Sequence, residues 1–309
     1  MPFQMQSIPT EKEATYPRSF GLSILRPFEK TPASIVCPHF WELNWAYGCP
    51  FDCAYCYLQG TFRGNKQPRH RKLTRVLSAL ERVFENNKLE PTIFNSGELT
   101  DSLAFPLVME KIVDKFEEQD KHKLLLLTKS ANVGFLVRKP RRQTIYSFSL
   151  NATEVARRWE HKTAPPEKRI NAAKMVMEAG YEVRVRIDPI FPIEGWKKHY
   201  EDIVYLLFSE LPQDPDRITL GTPRGLTKTR IYAKDLSWWK LAFEANPSED
   251  TGWGKKIAFN LRKEIYQFFY DKLRSLGFDK ARISMCKETV VMWKKLGLNQ
   301  TKIRCNCIW

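Results

Sequence analysis

Strand and helix patterns alternate from residue 40 to residue 223. FWELNWAY (40–47), PTIFNSG (91–97), HKLLLLTKS (122–130), TIYSFSLNA (144–152), YEVRVRIDPI (181–190) and DRITLGTP (216–223) read as strands. LTRVLSALERVFENN (73–87), FPLVMEKIVDKFEEQD (105–120), PPEKRINAAKMVMEAG (165–180) and WKKHYEDIVYLLFSEL (196–211) read as helices. In the first helix Val76, Leu77, Leu80, Val83 and Phe84 recur at helical spacing. The third opens after proline and closes on glycine. This alternation implies right-handed βαβ units around a parallel sheet. Six units are too few for an eight-unit barrel, so the expected fold is α/β, a partial (βα)6 barrel over residues 40–223. Residues 1–39, with prolines at 2, 9, 17, 27, 32 and 38, show no periodicity and read as an irregular N-terminal arm. Residues 224–309 carry a helix pattern (258–276), a short strand (281–286) and a short helix (288–296). They are expected to form a small C-terminal extension that closes over the open side of the barrel.

The seven cysteines are unevenly placed. Cys49, Cys53 and Cys56 crowd into GCPFDCAYCYL as C-x-x-x-C-x-x-C, just after the first strand. In a βα barrel the loop after a strand lies on the face that carries active sites. No cysteine occurs between 56 and 286, and an odd total argues for metal or redox use rather than a disulfide framework. Three neighbouring thiolates suit three irons of a [4Fe–4S] cluster. The fourth iron then stays open, as a catalytic zinc keeps an open position. An open iron can bind the amine and carboxylate of S-adenosylmethionine (AdoMet), pass it an electron and release a 5′-deoxyadenosyl radical. The competing reading is zinc, with Cys37 or His39 as fourth ligand. Cys37, Cys286, Cys305 and Cys307 remain outside the triplet, the number needed for an auxiliary iron–sulfur cluster or a structural zinc. One of the C-terminal thiols could alternatively reach the active site as a hydrogen donor.

The triplet, with an aromatic residue before its last cysteine, resembles the radical S-adenosylmethionine signature. A narrower resemblance, to the spore photoproduct lyase family, rests on CAYCYL (53–58), SGELTDSL (96–103), TKSANV (129–134), FSLNA (148–152), RINAAKMVMEAGYEV (169–183) and PIFPIEGWKKHY (189–200). It covers about residues 40–210, in order. The resemblance implies a barrel of the radical SAM type and hydrogen abstraction from a nucleic-acid base, in the specific form of thymine-dimer repair in DNA. It assigns Tyr55 and Tyr57 to the cofactor and substrate pocket, with a phenol able to relay hydrogen; simple aromatic packing is the alternative for Tyr57. Glu98 would pair with the AdoMet ammonium and Thr100 would contact the cofactor, while Asp101 could be a ligand or a helix cap. Lys129, Ser149 and Asn151 match further contact positions, although a lysine at a strand end is often only a solvated charge. The family returns a hydrogen atom from a cysteine near the end of strand two. Spacing puts that position at or near Glu98, and a carboxylate is not a hydrogen-atom donor.

Strand five carries an independent argument. Val183, Val185 and Ile187 alternate with Arg184, Arg186 and Asp188. In a barrel the charged set would line the lumen, where charge must be paired or functional. One arginine could grip the cofactor carboxylate in a bidentate manner; a structural salt-bridge ladder is the alternative.

The net charge of +15, from 50 Lys+Arg against 35 Asp+Glu, favours a polyanionic partner, nucleic acid before membrane. RGNKQPRHRKLTR (63–75), RKPRR (138–142), RGLTKTR (224–230) and the lysines at 255 and 256 are the basic segments. No apolar run approaches the ~20 residues of a membrane span, and the first twenty residues lack a signal-peptide core. A cytoplasmic enzyme acting on DNA, served by an electron donor such as flavodoxin or ferredoxin, is the expectation. A radical enzyme acting on an RNA base or a peptide, aided by an auxiliary cluster, is the runner-up. A zinc-stabilised DNA-binding protein is the non-enzymatic alternative.

Overall fold

The computed structural model describes residues 24–309, positions 30 and 140 excepted. The seven expected strands and one that the sequence reading did not foresee form an eight-stranded sheet. In chain order they are β1 (Leu25–Phe28), β2 (Phe40–Leu43), β3 (Ile93–Asn95), β4 (Lys123–Thr128), β5 (Thr144–Leu150), β6 (Glu182–Ile187), β7 (Ile218–Leu220) and β8 (Ile283–Met285). Each strand pairs with the next in sequence, and every pair from β2 onward is parallel. Only β1 runs antiparallel, with Leu25 opposite Leu43.

Two features differ from the sequence expectation. The arm is not irregular over its described part, because β1 forms the edge strand of the sheet and Ile35–Val36 pairs with Glu288–Thr289. Its prolines hid this. Pro27 lies in β1, on the edge of the sheet, where a missing N–H is tolerated. The C-terminal extension is also not separate from the barrel, since β8 is a parallel member of the sheet. The Ile35–Val36 ladder therefore joins the arm to the segment just after β8, across the open side. Residues 1–23 of the expected arm lie outside the described residues.

The helices α1 (Leu73–Phe84), α2 (Pro106–Phe116), α3 (Pro166–Glu178), α4 (Trp196–Glu210) and α5 (Phe259–Ser275) accompany the sheet. Val76, Leu80 and Val83 of α1 and Met109, Ile112 and Val113 of α2 join the same buried core as Val183, Val185 and Ile187 of β6. Burying such side chains stabilises by about 1.5–3 kcal/mol each. The opposite face of β6 turns Arg184 and Arg186 inward, as its alternation predicts, and both are buried.

The buried residues 305–307 enter the lumen, with a turn at Asn306–Cys307. Asn306 is fully buried, and its side-chain amide donates to Ser147 Oγ at 2.8 Å and to the Val185 carbonyl at 3.0 Å. Its carbonyl oxygen accepts from Thr219 Oγ1 at 2.7 Å. Arg184 donates to the main-chain carbonyls of Asn306 and Ile308 at 2.8 and 2.7 Å, and Arg217 to those of Cys305, Ile308 and Trp309. Two buried arginines thus find their acceptors in a segment more than eighty residues away in sequence.

Candidate active site

The cysteine triplet occupies a tightly bracketed loop. Gly48 opens it with φ +73°, and a Cβ there would lie 2.3 Å from the Gln67 carbonyl oxygen. Only glycine accepts both conditions. Cys49 N–H donates to the Lys66 carbonyl at 2.8 Å. Asp52–Cys53 pairs with Glu160–His161, and Gln59 donates to the Cys53 and Ala54 carbonyls. Lys66 is buried and donates to the Phe51 carbonyl at 2.9 Å, with Asp52 Oδ1 at 3.3 Å. We predict that Gly48→Ala lowers stability by roughly 1–3 kcal/mol, read as an earlier urea midpoint in equilibrium unfolding.

Burial pushes all three thiols up, Cys49 to about 12. Lys129 opposes the shift at Cys53, and Lys66 and Lys129 oppose it at Cys56. Without metal the three are therefore neutral thiols, and metal binding must displace their protons. Among the described residues no three His, Cys, Asp or Glu side chains are gathered so as to hold a metal ion. A [4Fe–4S] cluster takes one thiolate per iron and needs no common point, whereas zinc does. The donor set of three soft sulfurs on one loop fits the cluster.

Facing that loop are the ends of β3 and β4. Gly97 follows β3 so closely on the neighbouring chain that a Cβ would lie 2.5 Å from Leu127 Cβ. Asn95 Nδ2 donates to Glu98 Oε1 at 2.8 Å, and the Tyr57 hydroxyl donates to the Glu98 carbonyl, with Glu98 Oε2 at 3.4 Å. Tyr57 is 39% exposed, so its ring borders open space rather than core. Thr100 is buried, and its Oγ1 finds no hydrogen-bond partner among the described residues. An orphaned hydroxyl beside the cysteine loop is what a missing polar cofactor would satisfy. Asp101 is neither cap nor free ligand. It accepts from Thr128 Oγ1, Lys129 N–H and Leu103 N–H at 2.7, 2.7 and 2.9 Å, tying the β3 and β4 loops together.

Glu160, which the sequence reading missed, organises the far side. It is fully buried, accepts from the Tyr55 hydroxyl and from Asn151 Nδ2 at 3.2 Å, and forms ion pairs with Lys129 Nζ at 3.2 Å and Arg169 Nη2 at 2.6 Å. Burial alone would raise its pKa, but the Lys129 and Arg169 charges outweigh it and hold the carboxyl at about 2. Tyr55 is thereby committed to Glu160, while Lys129 Nζ sits 5.8 Å from the Tyr55 ring centroid. Ser149 is buried on β5, and its carbonyl accepts from Arg169 at 2.8 Å. The signal for Glu160 is weak, because Val155, Ala156 and Trp159 of the short helix before it indicate packing and not a buried acid after it. Arg169, by contrast, opened the recognised RINAAK segment.

The two arginines of β6 part company. Arg184 spends its donors on residues 306–308 and on Glu182, at 2.6–2.8 Å, which leaves no fork for a cofactor carboxylate. Arg186 points at sulfur, with Cys307 Sγ at 3.1 Å and Cys286 Sγ at 4.0 Å. Arg224 bridges Cys286 Sγ (3.5 Å) and Asp188 (3.3 Å). Cys37, Cys305 and Cys307 share a small apolar cluster with Phe40. Of the four outlying cysteines, Cys286 and Cys307 thus face arginines, while Cys37 and Cys305 lie with Cys307 in the apolar cluster. Cys305 and Cys307 are hydrogen-bonded to each other. That bond and the Arg186 charge pull the Cys307 thiol down against burial, while Cys305 is pushed up.

The basic segments also divide. Arg141 is buried against Asp114, and Lys256 against Glu288, so neither serves the surface. Arg63, Arg69, Lys72 and Arg75 are exposed, as are Lys228 and Lys234. Thr227–Tyr232 packs on Leu58–Thr61, the turn between the cysteine loop and segment 63–75. At their contact a Cβ on Gly60 would lie 2.6 Å from Thr229 N.

This arrangement has relatives. The sequence model of the spore photoproduct lyase family matches residues 38–265. The chain belongs to the spore photoproduct lyase family. The match takes in the cysteine loop, Glu98, Lys129, Glu160 and both arginines of β6. A spore photoproduct lyase of Bacillus subtilis is 30% identical over 179 residues, which are 56% of this chain and 52% of that protein. One of Clostridium acetobutylicum is 28% identical over 257 residues, 79% and 75% of the two chains. The chain thus spans about half the length of the first of these relatives and three quarters of the second. A solved spore photoproduct lyase variant with bound AdoMet and dinucleoside spore photoproduct superposes with a TM-score of 0.67 at 20% identity, over 93% of this chain and 88% of that one. It confirms the α/β fold with a mostly parallel sheet. Among the described residues no helix is long and apolar enough to cross a membrane.

Proposed function

We propose that the chain is a radical SAM enzyme that repairs a thymine photodimer in DNA. The observation that carries this reading is the bracketed three-thiol loop facing Glu98 and the orphaned Thr100 hydroxyl. Cys49, Cys53 and Cys56 would hold the [4Fe–4S] cluster. When bound there, the cluster supplies the electron that cleaves AdoMet to methionine and a 5′-deoxyadenosyl radical. Glu98, oriented by Asn95 and Tyr57, offers a carboxylate to the AdoMet ammonium. Thr100 offers its unused hydroxyl. Lys129, anchored on Glu160, sets positive charge behind Cys53 and Cys56 and favours their ionised forms. Tyr57 borders the open side, where a base turned out of the helix would stack or pass hydrogen.

The exposed basic residues beside this loop suit a phosphate backbone. We predict that Arg63→Gln combined with Lys228→Gln lowers the slope of log K against log salt for duplex DNA by about 2. Fluorescence anisotropy across a salt series reads this directly. An unchanged slope would remove these residues from the DNA path and favour the second reading, in which the same radical chemistry acts on an RNA base or a peptide. The position of Glu98, where family resemblance puts a cysteine, also favours that reading. The reduced thiols suit a cytoplasmic setting and an acidic electron donor of the flavodoxin or ferredoxin type.

A further inference from the structure

The closing half of a hydrogen-abstraction reaction needs a group that gives hydrogen back. Carboxylates, amides and guanidinium groups do not release hydrogen atoms to carbon radicals; thiols do, because the S–H bond is weak. The end of β3 carries Asn95 and Glu98, and the inward face of β6 carries Arg186. One thiol pair stands among them, and it comes from residues 305–307. Cys307 Sγ accepts from Arg186 Nη2 at 3.1 Å and lies 3.8 Å from Asn95 Nδ2, whose other contact is Glu98 Oε1 at 2.8 Å. Cys305 is hydrogen-bonded to Cys307. Arg186 is buried, yet its Nε finds no hydrogen-bond partner among the described residues. A buried guanidinium whose acceptors are sulfurs is costly as pure architecture. The turn that presents the pair is held by Arg184, Arg217, Ser147, Thr219 and the Val185 carbonyl.

We propose that Cys305 and Cys307 form the hydrogen-donating dithiol of this active site, with Cys307 as the sulfur that faces the reacting radical. This rests on the reading that the chain generates a carbon radical, and not on the identity of the substrate. An S–H bond of the pair breaks and a C–H bond forms on the product radical. The sulfur radical left behind bonds to the second sulfur. The Arg186 charge holds the pair singly protonated, so the shared proton leaves with the transferred hydrogen atom and the pair then gives up one electron to a one-electron acceptor of the iron–sulfur class. The dithiol is thereby oxidised by two electrons to a disulfide, the product radical is reduced by a hydrogen atom, and the acceptor is reduced by one electron.

The test uses the reconstituted full chain in D2O, where thiols carry deuterium, with AdoMet and dithionite but no other substrate. Deuterium in the 5′-deoxyadenosine is read by mass spectrometry. The expected result is singly deuterated 5′-deoxyadenosine from the parent and loss of that label in Cys307→Ser, with total 5′-deoxyadenosine still formed. Digestion after turnover, without reductant, should yield a 303–309 peptide lighter by two hydrogens than before AdoMet was added. This second readout uses the unmutated protein and does not depend on the variant folding. Undiminished label in Cys307→Ser, or a tail peptide still fully reduced after turnover, would overturn the proposal. Failure to repair a thymine dimer alongside a Cys307-dependent label would sink the substrate reading and leave the dithiol standing.

Discussion

Glu160→Gln will destabilise the chain by about 3–5 kcal/mol, the cost of removing one partner from a buried ion pair. Glu160 is fully buried, and Lys129 and Arg169 both depend on its charge. Glutamine keeps the shape and some hydrogen bonds but leaves two cations without a counter-charge. Urea unfolding at neutral pH checks this, and a change within about 0.5 kcal/mol, the size of an ordinary surface effect, would contradict it. The same group gives a pH dependence. Its folded value of about 2 lies below its ordinary 4.5, so its contribution is fully present above pH 4.5 and is lost as pH falls through 2. That contribution is about 3 kcal/mol at neutral pH. The variant's stability should accordingly lack this part of the acid limb. Because Lys129 also faces the cysteine loop, the variant should load iron less well than the parent.

Cys56→Ala will bring AdoMet cleavage down to the protein-free background, and the other two cysteines of the triplet will behave alike. In the proposed site each thiolate would hold a separate iron, so a missing one would leave two irons without protein ligands and the cluster would not be retained. Cys56 is bordered by Lys66 and Lys129, which favour its ionised form, but neither can replace it as a ligand. Iron and sulfide counts after anaerobic reconstitution, taken beside 5′-deoxyadenosine formation, provide the check. A variant that kept both would show that the loop is not the cluster site. Cys286→Ser, by contrast, should leave the iron count unchanged, because Cys286 is engaged by Arg224 and Arg186 on the opposite wall.

The parallel core was legible because its signals are periodic. Apolar residues at helical spacing in 73–87 and the alternation of valine with arginine in 181–190 require only local order. Each of the six expected strands found its place in the sheet, in sequence order. The cysteine loop was legible from spacing alone. Contacts between distant segments left no local trace. The antiparallel edge strand Leu25–Phe28 is short and contains proline, and only pairing with Phe40–Leu43 makes it a strand. Glu160 follows a helix of seven residues that buries Val155, Ala156 and Trp159, and its importance arises from Arg169 and Lys129, which other elements bring to it. Arg184 showed the right face and the wrong partner. Its inward direction follows from strand alternation, but its acceptors are carbonyls of residues 306 and 308, which no pattern within β6 foretells. The four outlying cysteines illustrate the same limit, since counting them does not foretell that Cys286 and Cys307 meet Arg186 and Arg224.

The most direct test of the central claim is a single anaerobic turnover experiment. The chain, reconstituted with iron and sulfide and reduced, receives AdoMet and a dinucleoside spore photoproduct, and 5′-deoxyadenosine and free thymidylyl-thymidine are followed together by mass spectrometry. The structure predicts both products from the parent and neither from Cys56→Ala. Iron bound at the triplet with no 5′-deoxyadenosine formed, in the presence of a competent reductant, would contradict it.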